Sequence, residues 1–347
     1  MAQIEFLPIH YESEIESHFE SSSDERTPTP LIQPIMGHGT WTTPNIDELK
    51  TGLRSALDAG FRFVDTAGYF ENELSAVGEV LNDEIFADGR LSRSDLFVAG
   101  KVPIHAHRPT DTDKWIKQSL IDLRTNYFDL YVLHFPINTI NETKVSSNDP
   151  TDCKDQLPHL STWRVLERHY KLGRLRSLGV ANLNAQQLRQ LYDHAEIKPT
   201  NLQIELHDLH PPKGLIHLCR ELKITITAIA PFGSNGCTSF GTQSPQSRCL
   251  GHSSLCEMAV KHTKSTSQLL IRQLLQRGIA VIPLSTRADR IFENVDIFDF
   301  ELNSEEMQKF EEMNHELQKP LAEIQSPHFI QNDVLYFTIL RSLYCGT

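Results

Sequence analysis

Three side chains of different acid–base character, Asp65, Lys101 and His134, stand where short apolar runs come to an end: FRFVDT (61–66), LFVAGKV (96–102) and FDLYVLHF (128–135). A carboxylate beside a lysine keeps the ammonium charged and fixed. The ammonium depresses the pKa of a neighbouring hydroxyl, and a neutral imidazole donates a hydrogen bond to a reacting oxygen. Together they suit proton transfer to a carbonyl oxygen, which still needs a hydroxyl to give the proton. Asn182, Gln203, Glu205 and Ser285 interrupt or end further runs of the same kind. Singly, each residue has a structural reading: an aspartate at a strand end caps a helix, and a lone lysine snorkels to solvent. An acid, a base and an imidazole on successive apolar runs must instead bond to one another or to a ligand, because unpartnered buried polar groups are costly.

The elements that would carry them alternate. Eight short apolar runs, IMGHGT (35–40), the three above, SLGVAN (177–182), LQIEL (202–206), TITAIAP (225–231) and AVIPLS (280–285), read as buried strands. Between them lie amphipathic stretches, Ile46 to Ala59, Asp113 to Leu123, Trp163 to Lys171, Gln186 to Asp193 and Ser267 to Gln276, several stopped by a glycine such as Gly60, Gly173 or Gly278. No GxGxxG turn follows the first strand, and eight units favour closure, so the expected fold is α/β, a (β/α)8 TIM barrel in one domain. The C-terminal ends of its strands converge on one face, where Asp65, Lys101 and His134 would meet. Segments 136–160, 233–262 and 318–347 are long and irregular; the first two follow the fourth and seventh strands and would overhang that face. The expected organisation is a polar, acidic extension over 1–30, the barrel over 31–318 and a tail over 319–347 near the pocket.

Composition narrows the partners. A net charge of −12 over 347 residues, without a basic run, argues against nucleic acid and anionic membranes. Residues 1–30 have no apolar targeting core, and no later run nears the length that spans a bilayer. The six cysteines form no CxxC pair, so neither a metal site nor a disulfide framework is expected, and the expected location is cytoplasmic.

The segments MGHGTW (36–41), FRFVDTAGYFENE (61–73), SDLFVAGK (94–101), DLYVLHFP (129–136), SLGVANLN (177–184), NLQIELH (201–207), ITAIAPFGS (226–234) and VIPLSTRADRIFENVDIFDFEL (281–302) run in family order. In them the chain resembles the aldo-keto reductases, NADPH-dependent carbonyl reductases built on a (β/α)8 barrel. The resemblance implies that Asp65, Lys101 and His134 are catalytic and that the proton-giving tyrosine falls on Phe70, a register fixed by Asn72 and Glu73. Phe70 has no proton to give, and Tyr69 beside it is the expected substitute. For the cofactor, NADP(H), the resemblance places the nicotinamide carboxamide on Ala181, Asn182 and Gln203, with Ile229 in place of the stacking aromatic. Leu284 replaces a basic residue at the 2′-phosphate end, where Ser285, Arg287, Arg290, Glu293 and Asn294 remain. An arginine pair can clamp a phosphate; without the resemblance, Arg287 and Arg290 read as a solvated helix face.

The expected function is therefore reduction of a small aldehyde or ketone to an alcohol by a monomeric enzyme. The alternative is a catalytically impaired or inactive relative that binds dinucleotide or a protein partner, since Phe70, Ala181, Ile229 and Leu284 all depart from the family at its chemistry. Trp41, Phe135 and Phe232 are expected to line an apolar pocket, or else to pack at its rim.

Overall fold

A computed structural model of the chain describes residues 6–8, 31–40, 45–68, 72–134, 159–206, 213–232 and 250–313. Strand β1 (Phe6–Pro8) pairs antiparallel with β2 (Ile32–Pro34), and eight further strands form one parallel sheet in sequence order. These are β3 (Gly37–Gly39), β4 (Phe63–Asp65), β5 (Phe97–Val102), β6 (Leu130–Leu133), β7 (Leu178–Ala181), β8 (Asn201–Glu205), β9 (Thr225–Ile229) and β10 (Ala280–Ile282). The sheet closes on itself: Met36 bridges Val281 in parallel, and Val281 N–H donates to Ile35 O at 2.8 Å. All eight expected strands are present, and the fold is a (β/α)8 barrel.

Strand alternation decides which side chains fill the interior. Phe63, Phe97, Ala99, Leu130, Val132, Ala181 and Ile282 form one buried cluster inside the barrel, while a larger apolar layer lies between the sheet and the helices. β3 contributes only glycine to the interior: a Cβ on Gly37 would sit 2.7 Å from the Phe63 ring, so its absence gives that ring its place. Because successive side chains point to opposite faces, Phe63, Ala99 and Val132 commit Asp65, Lys101 and His134, each two residues on, to the same interior at the C-terminal end. At the other end, the antiparallel pair β1–β2 puts a fully buried Gln33 against β8 and β9, bonded to Thr227 Oγ1 at 3.0 Å and to Asn201 Nδ2 at 3.1 Å. This pair is not among the strands read from the sequence, where 1–30 is a polar extension; Phe6–Pro8 is too short a run to stand out as a strand.

Helices begin where capping chemistry allows. Asn45 accepts from Asp47 N and Glu48 N at the start of Ile46–Asp58, and Asn184 and Ser265 each form a capping box with a glutamine. Helix Pro109–Asp122 starts four residues before the expected Asp113 because Pro109 suits its first turn. Segment 233–262, expected to be irregular, holds a helix at Ser253–His262, whose Leu255, Met258 and Ala259 recur at helical spacing and are buried. Helix Glu73–Glu79 runs into a π-helical turn, Val80–Phe86, that leaves no periodic signal in the sequence. Among the described residues no helix is long and apolar enough to cross a membrane, and no cluster of ligands could hold a metal.

Candidate active site

Asp65, Lys101, His134 and Gln203 meet at the C-terminal end of the barrel interior, each no more than 4% exposed. β4, β5 and β6 are neighbours, and their register sets Asp65 beside Ala99 and Lys101 beside Val132. The Lys101 ammonium bonds directly to Asp65 Oδ2 and reaches Thr66 O at 3.3 Å. Gln203 Nε2 donates to the other carboxylate oxygen, Oδ1, at 2.8 Å. Both oxygens of a buried carboxylate are thus engaged, the condition under which a buried ion pair holds.

Burial drives the His134 imidazole well below its ordinary pKa, and the nearby charge of Lys101, followed by the neighbouring His107 ring, adds to that effect. His134 is therefore neutral and can donate a hydrogen bond without carrying charge. The Trp115 indole N–H donates to Lys101 O at 3.0 Å, tying helix Pro109–Asp122 to β5 at the lysine. The same ring crowds Gly68, where a Cβ would lie 2.7 Å from Trp115 Cζ2 and where φ is +63°. Glycine is needed there for both reasons, immediately before residues 69–71.

Glu73, buried at the head of its helix, accepts from Thr40 Oγ1 at 2.6 Å and from Ala67 N at 3.0 Å. Thr40 N in turn donates to Asp65 O at 3.0 Å. Glu73, Thr40 and Trp115 were missed as site-building residues. The one available signal was an acidic residue in a helix first turn close behind Asp65.

Of the residues expected at a cofactor, Gln203 lies inside the cluster, and its buried Oε1 has no partner among the described residues. Asn182, at φ +57°, joins it through the main chain, its N–H donating to Gln203 O at 2.9 Å. Ala181 is buried and Ile229 packs against the interior cluster. Ser285 follows β10 and accepts from Arg287 N at 3.1 Å, leading into helix Ala288–Val295. Arg287 does not stand beside Arg290 as an open clamp: it is bound through Nε at 3.1 Å and Nη2 at 2.5 Å to the carboxylate of Asp289. Arg290 is exposed and Asn294 is buried. Leu284 is exposed, with no charge to offer. Tyr69, Phe70, Trp41 and Phe135 lie outside the described residues; Phe232 is half-buried between two apolar clusters.

Residues 35–315 match the model of the aldo/keto reductase family. Aldose reductase B of Dictyostelium discoideum is 33% identical over 291 residues, covering 82% of this chain and 90% of the relative. Aldo-keto reductase AKR2E4 of Bombyx mori is 35% identical over 289 residues, covering 82% and 89%. The crystal structure of the Bombyx mori AKR2E4 in complex with NADP superposes with a TM-score of 0.69 at 33% identity, covering 82% of this chain and 91% of that one. The aldose reductase of Schistosoma japonicum gives a TM-score of 0.68 at 34% identity, covering 82% and 88%.

Proposed function

The chain belongs to the aldo/keto reductase family, and from that premise we propose that it is an NADP(H)-dependent reductase of a small aldehyde or ketone. The observation that carries the reading is the buried Asp65–Lys101 pair with a neutral imidazole on the neighbouring strand. The cofactor, when bound, supplies a hydride to the carbonyl carbon. The chain's own residues handle the oxygen. His134 donates a hydrogen bond that orients it, and the Lys101 ammonium, held in place by Asp65, stabilises the negative charge that develops there. The proton that completes the alcohol comes from Tyr69 or from a water held against Lys101.

The residues present fit the dinucleotide. The Oε1 of Gln203, without a partner among the described residues, suits the N–H of a carboxamide, and Arg290, with Arg287 once it is released from Asp289, suits a phosphate. The relative from Bombyx mori was crystallised with NADP, which supports the same cofactor here. A second reading, a dinucleotide-binding protein without turnover, is supported by Phe70, which has no proton to give.

The test is NADPH oxidation with a panel of aldehydes and ketones on the wild type, Lys101→Met, Tyr69→Phe and Phe70→Tyr. The reductase reading expects turnover that falls by roughly 10² or more in Lys101→Met. Loss in Tyr69→Phe assigns the acid to Tyr69. A silent wild type whose Phe70→Tyr variant gains activity supports the non-catalytic reading.

A further inference from the structure

β5 ends at Val102 with Pro103 next, and a proline has no N–H with which to continue a ladder. Among the described residues, the last ladder bond toward β6 is His134 N to Val102 O, a long one at 3.3 Å. The carbonyl of His134 then takes its donor from a side chain, His107 Nε2, at 3.0 Å. That bond is made where water is excluded, since His107 is 3% and His134 1% exposed.

His107 is itself held on both sides. The Thr162 hydroxyl, in the first turn of helix Leu160–Lys171, donates to the His107 carbonyl. The Thr112 hydroxyl, from helix Pro109–Asp122, donates to the carbonyls that flank it, Ala106 O at 2.6 Å and Arg108 O at 3.0 Å. The His107 ring stands edge-on to His159, with centroids 5.4 Å apart. Burial, and after it His159, lowers its pKa to about 4, so the ring is neutral at physiological pH. A neutral ring that donates from Nε2 carries its lone pair on Nδ1, and Nδ1 has no partner among the described residues.

We propose that His107 is a positioning residue for His134: it fixes the main chain that carries the His134 imidazole and so sets where that imidazole donates at the barrel mouth. The proposal rests on the reductase reading of the site only for its effect on turnover. Two helices set His107, His107 sets the end of β6, and the end of β6 sets His134.

Two substitutions separate donor from volume. His107→Phe keeps a ring edge toward His159 and removes the N–H. His107→Gln returns an N–H at about the place of Nε2. The expected result is a kcat lowered about threefold to tenfold in His107→Phe, the worth of one buried hydrogen bond. KM for NADPH stays within about twofold, and most of kcat returns in His107→Gln. Unchanged kcat in His107→Phe, or His107→Gln as impaired as His107→Phe, overturns the proposal.

A second readout needs no turnover. In nitrogen-detected NMR of the histidine rings, the wild type and His107→Gln are expected to show His134 as one neutral tautomer, and His107→Phe to show it broadened or split. A His134 signal indifferent to both substitutions overturns the proposal. A wild type silent toward every carbonyl, with the NMR pattern as expected, removes the reductase reading and upholds the positioning role.

Discussion

Gln203 donates its amide to the oxygen of Asp65 that Lys101 leaves free, at 2.8 Å, so one buried carboxylate joins the residue expected at the nicotinamide to the ammonium expected at the substrate. Replacing Gln203 with leucine leaves that oxygen without a partner in a dry site, at a cost of about 1–3 kcal/mol. The expected outcome is a lower urea midpoint together with weaker NADPH binding, both seen by tryptophan fluorescence. A Gln203→Leu variant as stable as the wild type would show that Asp65 draws its support elsewhere.

The Asp65–Lys101 pair predicts an asymmetry between single and double substitutions. Lys101→Met strands a buried carboxylate and is expected to cost about 3–5 kcal/mol, whereas Lys101→Met combined with Asp65→Asn removes both charges and recovers much of that loss. Urea unfolding of the two variants measures the difference. Equal destabilisation would mean that the pair is hydrated and that burial does not govern it.

The convergence of Asp65, Lys101 and His134 was legible because a strand interior shows through its alternation. Each residue sits two positions beyond an apolar residue of a run short enough to be a barrel strand. Gln203 was legible as a polar residue interrupting an apolar run and through the family resemblance, but its bond to Asp65 was not, since β4 and β8 stand apart in the sheet order and only closure brings them together. Arg287 shows the other limit. The family resemblance set it at a phosphate, while by itself it read as part of a solvated helix face; in the structure Asp289, two residues away, holds the guanidinium, and local sequence could not rank the two partners. The β1–β2 strand pair and the π-helical turn at Val80–Phe86 left no periodic signal at all.

Buried histidines make the fold sensitive to acid. Burial lowers the pKa of both His38 and His107 from 6.5 to about 4. Between these values the unfolded chain binds protons that the native chain does not, so stability is present above pH 6.5 and is lost as pH falls from there toward 4. Each such histidine contributes roughly 3 kcal/mol over that window, about 1.4 kcal/mol per pH unit. His38→Leu, which removes one of the two, is expected to flatten the pH dependence of the unfolding free energy, read from urea titrations, by about that slope between pH 6 and 5. An unaltered slope in His38→Leu would show that His38 titrates normally in the fold.

Asp289 sets a competition at the other end of the proposed cofactor site. Its carboxylate lies in the first turn of helix Ala288–Val295, where the helix favours an anion, and it already holds Arg287 at two nitrogens. A 2′-phosphate arriving there must take Arg287 from Asp289 and meet its charge, while Leu284 offers nothing in exchange. Asp289→Ala is therefore expected to tighten NADPH about twofold to fivefold at low salt, the scale of an exposed ion pair. NADH, which has no 2′-phosphate, is expected to bind as before. The gain should fade as salt approaches 1 M, because both groups are exposed and their field is screened. Titrations of both cofactors by fluorescence at two ionic strengths read all three outcomes. Equal tightening of NADPH and NADH would place Asp289 against some other part of the dinucleotide and take the 2′-phosphate away from Arg287.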